Sequence, residues 1–278
     1  MENIIVNINS LFRDKDIDPE SNKFTYYLPT HLKNIIHMRL TSLEIPNVAY
    51  VFSESHNNNK FSITVAFVTE TIVLPDANFA SDQFVNVVTD KFDAINTARG
   101  WNLNLSIDVN TGKFKLTNNG AEFTLDFTRT GNTDYPNLNY HMGFKNETYT
   151  GTEIEGESVI NLIGINYFFV KINDINNIID EKVGNAFAKV IINIDKYNIQ
   201  FEDFESFVTK DKQFRSPQNF NKLSIEVVDF IGKPLELYNH DLSMTLELGY
   251  IYDLKLYNSI HNKGIPNGDD KQKYLYRY

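Results

Sequence analysis

Apolar and polar residues alternate along much of this 278-residue chain, with the period of two that is typical of half-buried β-strands. Residues 24–28 follow this pattern, and Pro29 is expected to end the strand that they form. A second strand is predicted from Ile35 to Ile45, with Ile36 and Met38 on the same face. The chain therefore begins by building a sheet, and no residue in this stretch is placed for chemistry.

Both ends of the chain are predicted to lie outside the main fold. Residues 1–22 form an arm, in which Ile4, Val6 and Ile8 alternate with polar residues as in a short edge strand. The charged residues that complete the arm are expected to form a loop. Residues 253–278 are predicted as a C-terminal tail.

The middle of the chain is predicted to be an inserted α+β module over residues 53–150. Its one helix is expected near residues 80–98, because Phe84, Val88 and Phe92 recur at the spacing of a helix face.

Two hairpins complete this module. The first covers Phe61–Leu74, with Phe67 inside its first strand, and the second turns at Asn110–Lys113.

The remaining segments, residues 23–52 and 151–252, are predicted to form an antiparallel jelly-roll sandwich, so that the fold class is all-β with an inserted helical module. Two tandem sandwiches are the alternative. Ala is scarce, at 9 residues against 28 Ile, which favours strands over helices. An AT-rich genome would also enrich Ile and Asn. Residues 200–216 are charged and aromatic and are expected to form an ordered loop packed by its rings.

Charge and composition exclude several classes of function. The net charge of −10 disfavours direct nucleic-acid binding, because phosphate selects basic surfaces. Without cysteine, disulfides and thiolate metal sites are excluded, which fits a reducing compartment. The first residues do not have the pattern of a signal peptide, and no window is apolar enough to span a bilayer.

Candidate chemistry is sparse, and neither a metal nor another cofactor is predicted. The six histidines are scattered without metal-ligand spacing, at positions 31, 37, 56, 141, 240 and 261, and His37 is expected to face solvent. Asp14, Asp16, Asp18 and Glu20 faintly resemble a calcium loop but lack its glycine, so a solvated loop is expected. No nucleophile or phosphate-binding motif appears, so no catalytic residue is predicted and the protein is not expected to be an enzyme. A hydrolase on a β scaffold is the least favoured hypothesis.

Two groups of aromatic residues are candidates for recognition. Trp101, the only tryptophan, is expected to plug the end of a small core, with stacking on a sugar ring as the alternative. Tyr274, Tyr276 and Tyr278 alternate at the end of the tail and are candidate interface residues, either against a neighbour or against their own domain.

Several segments share a recognisable pattern, namely Asn9–Asp16, Phe24–Pro29 and Leu40–Asn47, and the late pair Asn221–Asp229 and His240–Glu247. Together these segments resemble the minor capsid proteins of nucleocytoplasmic large DNA viruses. The resemblance implies jelly-roll sandwiches in an icosahedral shell, some of them penton proteins at the fivefold vertices. It implies no catalytic residue.

The leading hypothesis is therefore a structural protein of a large viral capsid. It would be located in the virion after assembly in the host cytoplasm, and would associate with itself, as a pentamer in a vertex role. Its other partners would be the double-jelly-roll major capsid protein and other minor capsid proteins, with no direct nucleic-acid contact and no membrane span. The alternative is a carbohydrate- or receptor-binding β-sandwich that uses Trp101.

Overall fold

The computed structural model describes residues 2–131, 133–202 and 210–252. Strands and helices are numbered in chain order. The first half of the chain contains β1 (Glu2–Asn9), β2 (Lys23–Pro46), β3 (Lys60–Val65), β4 (Val68–Val73), α1 (Ser81–Arg99), β5 (Leu103–Asp108), β6 (Lys113–Asn118), β7 (Phe123–Asp126) and α2 (Leu138–His141). The second half contains β8 (Thr148–Gly151), β9 (Glu153–Glu155), β10 (Tyr167–Ile172), β11 (Ile178–Asp180), β12 (Gly184–Ala186), β13 (Ala188–Ile191), β14 (Ile199–Glu202), β15 (Asp211–Val228) and β16 (Ser243–Tyr250).

The chain divides into two compact units. The sheet unit comprises the residues up to Asn47 and those from Tyr167 onward, and the inserted unit is Val48–Asn166. The inserted unit is thus continuous in sequence, whereas the sheet unit needs both ends of the described chain.

One curled antiparallel sheet forms most of the sheet unit. Its strands follow the order β1-β16-β2-β15-β10-β13, and β14 pairs with the far end of β2. Inward-facing residues of β1 and β16, such as Ile8 and Leu246, are fully buried. Curled antiparallel sheets around such a core make an all-β, jelly-roll-like fold, and the predicted fold class is confirmed.

β2 runs through Pro29 without ending, contrary to the prediction. Proline has no N–H to donate to a β-ladder, so it is tolerated only where the ladder is interrupted. Pairing between β2 and β15 is regular up to Tyr27 and is next found at Leu32, with register shifts beyond Tyr27. Pro29 lies inside this irregular stretch, so the predicted corner between two strands is an irregularity within a single strand.

The buried face of β2 changes at two bulges. Ile35, at an odd-numbered position, is buried. Further along the strand the buried residue Met38 is at an even-numbered position, and the buried residue Leu43 is at an odd-numbered position again. The register against β16 shifts at the same places, leaving Ile36 and Thr41 as the extra residues. Ile36, predicted to share the face of Met38, is therefore a bulge residue and only half-buried.

The predicted loop at residues 200–216 is wrong where the structure describes it. Residues 199–202 form β14 and β15 begins at Asp211, both antiparallel to β2. Residues 203–209 lie outside the described residues. The pattern was misleading here because in β14 the polar Gln200 is buried, whereas the apolar Ile199 and Phe201 are exposed.

The inserted unit is built from two small sheets and α1. The sheets have the orders β4-β3-β7-β8 and β5-β6-β9. α1 buries Phe84, Val88 and Phe92 completely, as their four-residue spacing predicts. At its start, the side-chain oxygen of Gln83 accepts a hydrogen bond from the backbone N–H of Ala80 (3.0 Å), and at its end Gly100 adopts a left-handed conformation (φ 71°).

Candidate assembly surfaces

An exposed apolar row lies along one edge of the sheet unit, at Tyr197, Ile199 and Phe201. We call this row the β14 ridge. Between its members, Gln200 pairs opposite Ile45 of β2, and both of these side chains are buried. Because side chains alternate along a strand, Ile199 and Phe201 face the opposite way, to solvent. Within the described residues no second strand pairs with β14, so the ridge joins apolar surface to a strand edge.

A second exposed aromatic residue lies at the tip of the β3–β4 hairpin in the inserted unit. The two-residue turn is Ala66 and Phe67, with φ values of 48° and 67°. Positive φ at both positions is the type I′ turn, which normally uses Asn-Gly, so a bulky residue is strained there. The Phe67 side chain is fully exposed, at 102%. Its predicted place in the first strand is wrong, since β3 ends at Val65.

The N-terminal arm is bound to its own unit. β1 pairs with β16 along its whole length, and Ile4, Val6 and Ile8 face inward, as predicted. The loop that follows is held by Arg13, whose Nη1 contacts a carboxylate oxygen of Asp241 at 2.6 Å. The same guanidinium donates to three backbone carbonyl groups around it. The arm is therefore part of the sheet unit surface.

The predicted recognition residues have different outcomes. Trp101 is half-buried and packs against the core of the inserted unit. Its backbone neighbour Asn102 donates a hydrogen bond to the side chain of Asn118 (3.0 Å), which anchors the segment. Sugar stacking by Trp101 stays a prediction. The candidate interface tyrosines of the tail, at positions 274, 276 and 278, lie outside the described residues.

His37 is buried, contrary to the expectation that it faces solvent. Its Nε2 pairs with the carboxylate of Asp211, the first residue of β15. The strand alternation that placed His37 outside is shifted by the bulge at Ile36, so its burial follows from the same irregularity.

Two further histidines belong to the interior of the inserted unit. The ring of His56 stacks on Tyr135 with 3.7 Å between centroids. His141 donates a hydrogen bond from its Nδ1–H to the carbonyl oxygen of Asn161 (2.7 Å). Burial lowers the pKa of His141, because the imidazolium loses its hydration there. Both rings thus fill core positions in the structure.

The acidic loop of the arm uses its carboxylates for local structure. Asp14 accepts a hydrogen bond from the backbone N–H of Asp16 (3.1 Å), and Asp18 accepts one from Thr25 (2.8 Å). Across residues 2–131, 133–202 and 210–252, no three His, Asp or Glu side chains cluster as metal ligands would. No helix in the same ranges is long and apolar enough to cross a bilayer.

No family model and no curated protein matches the chain. In structure, the chain is similar to the mavirus penton protein, as seen in the crystal structure of its selenomethionine-labelled form, with a TM-score of 0.51 and 12% sequence identity. The similarity covers 90% of this chain and 100% of that chain. At this identity the likeness shows a shared fold, so the chain has a viral penton-like fold.

Sequence reasoning missed the β14 ridge and the hairpin tip. The alternation of Tyr197, Ile199 and Phe201 was a usable signal for a strand, but pattern alone does not say which face is exposed. For Phe67 there was no signal, because Ala-Phe is not a sequence that predicts a type I′ turn.

Proposed function

We propose that the protein is a structural capsid protein, and more specifically a minor capsid or fivefold-vertex penton protein of a giant virus. The observation that carries this proposal is the fold shared with a penton protein across 90% of this chain and all of that one. Structural similarity that extends over nearly the full length of both chains is better support for a shared role than similarity over one segment, because it includes the inserted unit as well as the sheet unit.

The exposed surfaces support a role in assembly. Protein interfaces are enriched in aromatic residues, and strand edges pair readily with other chains. The β14 ridge supplies both features on the sheet unit, and the strained Phe67 tip supplies an aromatic contact on the inserted unit. A persistent interface buries on the order of 1,000 Å² or more, so we expect each surface to act as part of a larger contact.

The proposed partners follow from this role. The protein would associate with itself as a pentamer, and with the double-jelly-roll major capsid protein and other minor capsid proteins of the shell. It would act in the virion after assembly in the host cytoplasm, without enzymatic activity. The net charge of −10 argues against direct contact with the genome.

Native mass spectrometry of the full chain tests the self-association. Five copies of the 32.1 kDa chain give a species of about 160 kDa. A mass of 32.1 kDa at every protein concentration contradicts the pentamer. Absence of the protein from purified virions, measured by proteomic mass spectrometry, contradicts the capsid role itself.

A matched pair of variants tests the β14 ridge. Ile199→Asp puts a charge on the ridge, whereas Ile179→Asp makes the same change at an exposed residue of β11 in the same unit. We expect the first variant to lose the assembled species and the second to keep it, with both melting within a few degrees of the parent, about the range for exposed substitutions. Equal assembly of the two variants would remove the ridge from the interface.

A further inference from the structure

An open groove of about 750 Å³ lies on the sheet unit between the arm loop and the loop that precedes β16. We call it the arm groove. One wall contains Ile17, Pro19 and Glu20, and the other contains Glu236 and Tyr238. It belongs to neither of the surfaces proposed above for assembly.

The two walls are tied to each other by hydrogen bonds. Arg13, in the arm loop, pairs with Asp241 in the opposite loop at 2.6 Å, and its side chain is almost completely buried. Asn22 donates its side-chain amide hydrogen to the carbonyl oxygen of Leu235 at 2.7 Å. Because both loops are held at two points, the groove is preformed, which lowers the cost of binding a ligand.

The lining favours a ligand that is both aromatic and cationic. Its apolar part includes the exposed side chain of Ile17, together with Pro19 and Tyr238. Its charged part has three carboxylates, Asp18, Glu20 and Glu236, against the single ammonium group of Lys23. That ammonium already lies 3.4 Å from the carboxylate of Glu226, outside the groove.

The sequence of this chain contains such a ligand in its last eight residues, Lys271–Tyr278. The segment carries three cations and no acidic side chain, within a chain whose net charge is −10. Its three tyrosines alternate with Leu275 and Arg277, so an extended conformation would present the rings on one side and a cation on the other.

The length of the intervening chain allows this segment to reach the groove of its own molecule. The described residues end at Tyr252, just past the end of β16, and the groove lies beyond the start of that strand at Ser243. β16 spans about 25 Å at 3.4 Å per residue. The 18 residues from 253 to 270 can extend to about 60 Å, which exceeds that distance.

We propose that the arm groove binds the segment Lys271–Tyr278 of the same chain. In this arrangement tyrosine rings pack on Pro19 and Ile17, while the cations of the segment face the lining carboxylates Glu20 and Glu236. Tethering makes the effective concentration of the segment millimolar, so a modest affinity is sufficient for occupancy.

Because the chain has no cysteine, disulfide trapping in the full-length protein tests the proposal directly. The trapping variant is Ile17→Cys with Tyr276→Cys, and the control variant is Ile179→Cys with Tyr276→Cys. Both partner positions are exposed isoleucines of the sheet unit. We expect the first pair to close an intrachain disulfide about tenfold faster than the second, as proximity would require.

A charge reversal then tests the chemistry of recognition. Glu20→Lys in the trapping variant should slow closure about threefold at low salt, whereas Asp16→Lys, on the same loop but outside the lining, should change it little. Equal closure rates for the trapping and control pairs would overturn the proposal. Disulfides that form only between chains would also overturn it, because the segment would then bind a second copy.

Discussion

The sheet unit and the inserted unit bury their apolar residues in different ways. In the sheet unit, strands at opposite ends of the described chain pair with each other, as residues 2–9 do with residues 243–250. In the inserted unit, hairpins between neighbouring strands and α1 surround a cluster of phenylalanine rings, with Phe84 packed against Phe52 and Phe114. The sheet unit includes ladders between strands about 200 residues or more apart, whereas the paired strands of the inserted unit, such as β3 with β7, are about 60 residues apart or fewer and its core adds ring packing.

The difference extends to the exposed surface. On the sheet unit, Ile199 and Phe201 of the β14 ridge lie on a regular strand, and Tyr197, which precedes that strand, has a positive φ (68°). On the inserted unit, Phe67 lies on a turn whose backbone is strained. Ile199 and Phe201 can therefore be changed without disturbing the fold, whereas a change at the tip that relieves the strain alters the stability of the hairpin as well.

The largest expected effect tests the ring cluster. Phe84 is fully buried, and its ring centroid lies 5.1–5.9 Å from those of Phe52, Phe79 and Phe114. Phe84→Ala should lower the free energy of unfolding of the inserted unit by about 3–5 kcal/mol, through lost burial and the cavity left behind. Trp101 packs against the same core, so its fluorescence during urea unfolding reports the change.

The control for this measurement is Phe67→Ala, which removes the same atoms from a fully exposed position. It should leave the Trp101 transition nearly unchanged. Equal losses for the two variants would show that the ring cluster does not hold the inserted unit together.

The next largest effect tests the long-range ladder of the sheet unit. Ile8 and Ile5 lie on β1, but Ile8 is 0% exposed and Ile5 is 62% exposed. Ile8→Ala should destabilise the sheet unit by about 2–4 kcal/mol, and Ile5→Ala should have little effect. Far-UV circular dichroism during urea unfolding measures this loss. The midpoint of the Trp101 fluorescence transition, which reports on the inserted unit, should not change. A coincident shift of both signals would mean that the two units unfold as one, and the contrast between them would fail.

The regular parts of both units follow from the sequence. Phe84, Val88 and Phe92 predict α1 because their spacing matches a helix and all three are buried. Ile4, Val6 and Ile8 predict β1 for the corresponding reason with a period of two. At these positions the residues that the local pattern places on one face are the residues that the folded unit buries, so the pattern alone predicts the element.

The irregular parts do not follow from the sequence. Each bulge in β2 reverses which residues face the core, and the bulges arise from pairing with β16, about 200 residues away. The burial of His37 and the half-burial of Ile36 are consequences of that pairing. The β14 ridge was missed for a related reason, because a short strand acquires its orientation only from the strand beside it.

A smaller effect with the opposite sign concerns the hairpin tip. Phe67→Gly places the residue that type I′ turns prefer at a position with φ 67°. We expect the inserted unit to become about 0.5–1 kcal/mol more stable, measured by the midpoint of the Trp101 transition. Phe67→Ala keeps a Cβ at the strained position and should not reproduce the gain. If neither variant differs from the parent, the strain assigned to the tip is absent in solution.

The smallest expected effect is a pH dependence confined to the inserted unit. Burial lowers the pKa of His141, so the folded state disfavours the imidazolium, while the unfolded chain takes up a proton near its ordinary pKa of about 6.5. The unfolded state therefore binds more protons below that pH, and the inserted unit should lose stability as the pH falls from about 7 to 5. His141→Gln, which keeps a side-chain N–H for the carbonyl of Asn161, should flatten this slope in Trp101 fluorescence, whereas the same substitution at the exposed His31 should not. An unchanged slope in the His141 variant would assign the acid sensitivity to other groups.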